Sequence, residues 1–171
     1  SVEFVHLPTN CAAWWLAPGA ALDNKEAPTR QFHASLAFMS ASTAPMVYVN
    51  GDYVPAAQAK ISIFDRGFLF ADGVYEVTAV LKRCLIDYAP HMERLKRSLR
   101  ELDMAMPCSD DELERIHRQL IEMNDMDEGT IYLQVTRGDE GCRNFPFPDD
   151  AKPSLVLFTQ PVNLSEDPKA D

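Results

Sequence analysis

Two stretches concentrate the side chains that could do chemistry. Phe64-Asp65-Arg66-Gly67-Phe68-Leu69-Phe70-Ala71-Asp72-Gly73-Val74-Tyr75-Glu76 sets acids, an arginine and glycines among aromatics, where a purely structural strand would alternate. The glycines let backbone approach a ligand closely, and the charged groups could line a cleft. The same residues also make an ordinary loop, with Asp65 and Asp72 accepting backbone hydrogen bonds in Asx-turns and Arg66 paired locally. The second stretch, Gly138 to Pro148 (GDEGCRNFPFP), joins a strand end to Arg143 and alternating Phe and Pro. Arg143 could clamp a carboxylate through two parallel hydrogen bonds, or simply face solvent. Arg94 flanks an apolar helical stripe, where a surface arginine would also lie. His91 and His117 fall in predicted helices without the Ser or Cys partner of a triad, which favours packing or surface roles.

The chain that must position these groups has 171 residues, enough for one domain with an appendage. Its 46% apolar and 25% charged residues are those of a globular protein. Sixteen basic against 26 acidic residues give a net charge of −10, the wrong sign for a nucleic-acid binder or a basic membrane-surface helix. Anionic ligands must therefore be captured by a few local arginines. Cys11, Cys84, Cys108 and Cys142 are too scattered for a zinc site or a disulfide framework, and no metal site is expected. Reduced thiols imply a cytoplasmic protein. The longest apolar stretch, Cys11 to Leu22, is too short for a bilayer and contains Pro18.

Composition shifts near residue 46. Residues 1–45 form an Ala- and Pro-rich leader whose formal charges are Glu3, Asp23, Lys25, Glu26 and Arg30, without helical or strand periodicity. It is expected to be an arm or upstream extension, with Trp14 and Trp15 available to dock it. Beyond it, Val47-Tyr48-Val49, Asn50-Gly51 and Asp52-Tyr53-Val54 predict a hairpin with a type I′ turn. Lys60 to Phe64 reads as a short strand, and Gly73 to Val80 as a strand paired in a second hairpin with Leu85 to Tyr88. Pro90 opens a helix whose stripe is Met92, Leu95, Leu99 and Leu102. After Pro107, the capping box Ser109-x-x-Glu112 starts a second, with Leu113, Ile116 and Leu120 inward. Gly129 ends the turn that follows, Thr130 to Thr136 alternates cleanly with Ile131, Leu133 and Val135 on one face, and Ser154 to Thr159 is a last strand. Strands, two helices, then strands predict an α+β fold: two layers, a largely antiparallel sheet with both helices on one face.

The run DRGFLFADGVYEV, then HMERL, then IYLQVTRG and the loop Arg143-x-Phe145-x-Phe147-Pro148 resemble the class IV (fold type IV) pyridoxal-phosphate aminotransferases, most of all the D-amino-acid transaminases. The motifs run in order from about Val47 to Pro161 and are specific as a set. The resemblance implies that residues 46–161 are the N-terminal domain of such an enzyme, and that residues 162–171 are a tail or the start of an interdomain linker. It implies pyridoxal 5′-phosphate as cofactor, an amino acid and a 2-oxo acid as substrates, and a homodimer. Arg94, in E-R-L, matches the arginine that binds the cofactor phosphate. Tyr75, in D-G-V-Y-E, matches a tyrosine on the substrate carboxylate, and Tyr132 a tyrosine lining the site. Arg143 matches the arginine of a loop that traps that carboxylate, contributed in D-amino-acid transaminases by the neighbouring subunit. Phe145 stands where those enzymes often carry histidine, and the loop before it is one residue longer, which leaves side-chain and stereochemical preference open.

The same resemblance implies a Schiff-base lysine in a second domain, well beyond Arg143. A lysine that is neutral at working pH needs a desolvated or cation-flanked pocket. Lys25 and Lys169 in the arms, Lys60 and Lys152 at strand starts, Lys82 in a turn and Lys96 on a helix flank have no such context. This polypeptide alone is therefore expected to be inactive as a transaminase. Two related activities on the same scaffold, aminodeoxychorismate lyase and branched-chain transaminase, remain alternatives, as does a truncated module that only binds or dimerises.

Overall fold

Period-two and period-3.6 apolar patterning build two layers in this computed structural model, which describes residues 44–148, 150 and 152–164. The Ala- and Pro-rich leader, save Ala44 and Pro45, lies outside the described residues, as do residues 165–171. Six strands, β1 (Met46–Val49), β2 (Asp52–Pro55), β3 (Gly73–Leu81), β4 (Cys84–Leu85), β5 (Glu128–Thr136) and β6 (Ser154–Pro161), form one sheet in the order β2-β1-β6-β5-β3-β4. Every pairing is antiparallel.

The first hairpin turns as its sequence requires, with Asn50 at φ 50° and Gly51 at φ 113°. Helix α2 (Tyr88–Glu101) buries Met92, Leu95 and Leu99, and α3 (Asp110–Met123) buries Leu113, Ile116, His117, Leu120 and Ile121. Ser109 caps α3 by accepting from the Glu112 amide at 3.3 Å. These stripes close on one sheet face, where Val80, Ile131, Leu133, Val135, Leu155 and Leu157 complete the core. Register puts Tyr48, Leu157, Leu133 and Glu76 in one row across that face. The one-residue-shifted row, Phe158, Tyr132 and Val77, faces the other way.

Four expectations change. Lys60 to Phe64 is not a strand; a 3₁₀ turn at Ala56–Gln58 carries the chain off the sheet, and Ile61 and Ile63 stay exposed with no partner strand among the described residues. The second hairpin is shorter than its pattern, because Asp87 turns into the left-handed region and α2 starts at Tyr88, two residues before Pro90. Leu102 is left as the partly exposed C-cap of α2. Gly129 lies inside β5 rather than at the end of a turn. A short helix, α1 (Arg66–Phe70), also appears in the first chemistry-bearing stretch.

Candidate active site

Because β4 pairs only with Val80 and Leu81, the outer edge of β3 from Gly73 to Thr78 has no strand beside it among the described residues. Helix α2 passes along that bare edge. Between them lies a cavity of about 360 Å³ lined by Tyr75, Glu76, Val77, Arg94, Arg97 and Ser98. Adjacent strand residues point to opposite faces, yet at an open edge both reach one cavity. Tyr75 and Arg94, distant in sequence, thus meet at one place.

Glu76 organises this cavity. It sits on the core-facing side of β3, 3% exposed, where an unpaired carboxylate would be costly. Arg94 grips it in a fork, Nε and Nη2 donating at 2.7 and 2.6 Å. His91 Nδ1 donates to it at 2.9 Å, since a carboxylate only accepts. Burial pushes the Glu76 carboxyl up, but the bonds from Arg94 and His91 prevail and hold it below its usual range. The same pair pushes Arg94 up, so its charge is permanent. Its side chain remains 56% exposed, and Nη1 makes no hydrogen bond to the described residues. Arg94 is a fixed cation with donors to spare.

Tyr75 and Tyr132 share the open face of the sheet, stacked with ring centroids 5.7 Å apart. Phe158 continues the stack at 5.0 Å from Tyr132. Tyr132 Oη donates to Gln134 at 3.1 Å. Burial, and then Tyr75 beside it, push the Tyr132 phenol up, so it stays protonated at neutral pH. Tyr132 borders a second, more apolar cavity of about 280 Å³ with Ile61, Phe68, Val156 and Phe158.

Arg143 lines neither cavity. Its guanidinium lies 5.1 Å from the Phe70 ring and 4.6 Å from Phe145, on an exposed loop. Asp65 and Asp72 both serve the loop reading, in different ways. Asp65 is structural: 1% exposed, it caps α1 by accepting from the Gly67 amide and also accepts from the Thr136 and Ser154 hydroxyls. Asp72 holds two arginines instead of a backbone turn. Arg66 Nε and Arg137 Nε both donate to it at 2.8 Å. Burial raises the Asp72 carboxyl, but those arginines prevail and lower it. His117 packs in the core, one of the two roles its helical position left open, with Nδ1 donating to the Leu113 carbonyl at 2.7 Å.

Sequence reasoning passed over Glu76, His91 as its partner, and Arg137. The signal was there for Glu76: it shares parity with Thr78 and Val80 on β3, so a charge on the core side had to find a cation. Lys96 pairs with Glu93 and Asp110, which pushes its amine up, the reverse of what a neutral nucleophile needs. Among the described residues no cluster of His, Cys, Asp and Glu could hold a metal, and no helix is long and apolar enough to cross a membrane.

Comparison with known proteins adds matches of three kinds. The family model described as amino-transferase class IV matches residues 73–171, more than half of the chain. The D-alanine aminotransferase of Staphylococcus aureus (strain N315) is 37% identical over 115 residues, 67% of this chain and 40% of that protein. The enzyme of the same name from Listeria monocytogenes serotype 1/2a (strain 10403S) is 39% identical over 104 residues, 61% of this chain and 36% of that one. The chain thus spans about 40% of the length of such relatives. Among solved structures, Escherichia coli branched-chain amino acid aminotransferase matches with TM-score 0.64 and 22% identity over 70% of this chain and 40% of that one, a likeness of fold alone. The 4-amino-4-deoxychorismate lyase of Pseudomonas aeruginosa matches with TM-score 0.53 and 28% identity, covering 67% of this chain and 39% of that one.

Proposed function

This chain belongs to the class IV aminotransferases, and from that premise we propose that it forms the N-terminal part of a pyridoxal-phosphate enzyme. That enzyme moves an amino group between a D-amino acid and a 2-oxo acid. The observation that carries the reading is Arg94, fixed by buried Glu76 at a cavity that Tyr75 also borders. The donor set fits a phosphate. Glu76 is fully engaged by Arg94 and His91, while Arg94 Nη1, Arg97 and Ser98 remain as cations and donors on the cavity wall. Arg94 is thus the phosphate ligand, and the cofactor when bound supplies an electron sink for the transfer.

The remaining residues handle substrate. Tyr75 offers a phenol to the substrate carboxylate, Tyr132 backs it by stacking, and Arg143 closes on the carboxylate from its loop. That Arg143 lines neither cavity with Tyr75 or Tyr132 supports its serving the equivalent site of a second subunit in a homodimer, as the resemblance to D-amino-acid transaminases implies. Residues 46–161 are the domain, and the lysine that carries the cofactor lies outside the 171 residues, so this chain alone does not turn over. The names of the curated relatives favour D-amino acids, and we place the protein in the cytoplasm. Phe145, an apolar residue beside Arg143, keeps a branched-chain or lyase specificity as the second reading.

The test uses a protein extended to the relatives' full length. With D-alanine and 2-oxoglutarate it should release pyruvate, with L-alanine far less, and the 171-residue chain should release none above free cofactor. Transfer from L-branched-chain amino acids only, or pyruvate from an aminodeoxychorismate substrate, would replace the D-amino-acid reading by the second one.

A further inference from the structure

The loop that carries Arg143 is held by something other than its own burial. Phe145 and Phe147 are 71% and 68% exposed, and Pro146 and Pro148 remove two amide donors. What holds it is Arg66, 3% exposed on α1. Arg66 Nη1 donates to the carbonyls of Asn144 at 2.8 Å and Pro146 at 3.2 Å, and to the Glu140 carboxylate at 3.2 Å. Nη2 donates to the Phe145 carbonyl at 3.4 Å. One guanidinium therefore gathers three successive carbonyls immediately after Arg143.

The same guanidinium reaches further. Its Nε is bound to Asp72, and Asp72 is also held by Arg137. Arg137 donates in turn to the Leu102 carbonyl at 2.7 Å and the Asp103 carbonyl at 3.2 Å, at the C-terminal end of α2. The Phe147 ring lies against both guanidiniums, 5.4 Å from Arg66 and 4.3 Å from Arg137. A continuous set of charge-assisted bonds runs from the Arg143 loop to the helix that carries Arg94.

We infer that Arg66 is a positioning residue: it fixes the loop that presents Arg143 and, through Asp72 and Arg137, sets that loop against α2. The inference rests on the reading of Arg143 as a carboxylate ligand. A planar fork can serve Asp72 and three carbonyls together, whereas an ammonium is a point donor on a flexible stem. Arg66→Lys therefore keeps the charge beside Asp72, and with it the fold, but releases the loop.

Two readouts test this, one independent of turnover. In the 171-residue chain, Arg66→Lys should speed tryptic cleavage of the Arg143–Asn144 bond at least about tenfold, while cleavage after Arg118 in α3 stays at the parent rate. In the protein extended to the relatives' length, Arg66→Lys should raise KM for the amino acid at least about fivefold and leave kcat within about twofold. Parent-like cleavage and KM in Arg66→Lys, where Arg143→Lys does raise KM, would overturn the positioning role. Unchanged KM in Arg143→Lys would instead overturn the assignment of Arg143 itself, and the cleavage rates would still decide what holds the loop. Faster cleavage after Arg118 as well would mean that Arg66 serves general stability, which also overturns the inference.

Discussion

His117 makes this fold acid-sensitive in a defined window. Its imidazole is fully buried; Nδ1 donates to the Leu113 carbonyl, which fixes the tautomer, and Nε2 has no partner among the described residues. Burial pushes its pKa down to about 4 from an ordinary 6.5. The unfolded chain then binds a proton between pH 6.5 and 4 that the folded chain refuses. Stability is complete above the unfolded value and falls as pH drops towards the folded one. Linkage puts the loss at about 2 kcal/mol by pH 5 and about 3 kcal/mol by pH 4. In His117→Leu that loss disappears, along with the Leu113 bond and the partnerless nitrogen. The variant should therefore lie within about 1 kcal/mol of the parent at pH 7 and exceed it by about 2 kcal/mol at pH 5. Urea unfolding of both chains at pH 7, 6 and 5 measures this, above the range where most carboxylates protonate. Parallel pH dependence in the two chains would refute the reasoning.

Three further outcomes follow from the same contacts. Asp65→Ala removes the cap of α1 and leaves the Thr136 and Ser154 hydroxyls without their acceptor in a buried site; urea unfolding should show a loss of about 2–4 kcal/mol, and a loss under about 1 would contradict it. In the extended protein, Arg143→Lys should raise KM for amino acid and oxo acid alike by about tenfold or more while cofactor stays bound, and an unchanged KM would assign the carboxylate elsewhere. The 171-residue chain exposes Phe68, Tyr75, Phe145 and Phe147 and should self-associate at moderate salt, where its −10 charge is screened; a clean monomer in concentrated sedimentation runs would count against this.

Where local patterning was decided by burial, the fold was legible from residue types. Ile131, Leu133 and Val135 alternate because one sheet face meets the helices, and Ser109 with Glu112 marks the start of α3 because its first amides need an acceptor. The Lys60 to Phe64 segment alternates too, but alternation alone cannot supply a partner strand, and none lies beside it among the described residues. The site divides in the same way. Tyr75, Tyr132, Arg94 and Arg143 are proposed as site residues through the family's motifs, whereas the groups that hold them depend on long-range pairing. Glu76 finds Arg94 only once α2 lies along β3, and Arg66 finds the carbonyls of 144–146 only once α1 packs under that loop. Bare sequence shows a buried charge's need for a partner and leaves the partner to topology.

Arg94, pinned by Glu76 at the open edge of β3, is proposed to hold the phosphate of pyridoxal phosphate. Cofactor retention in the extended protein tests it most directly. After exhaustive dialysis, the absorbance of bound cofactor should persist in the parent and be lost in Arg94→Ala, returning when pyridoxal phosphate is supplied in excess. Arg94→Ala protein that keeps its cofactor through dialysis as the parent does would contradict the account.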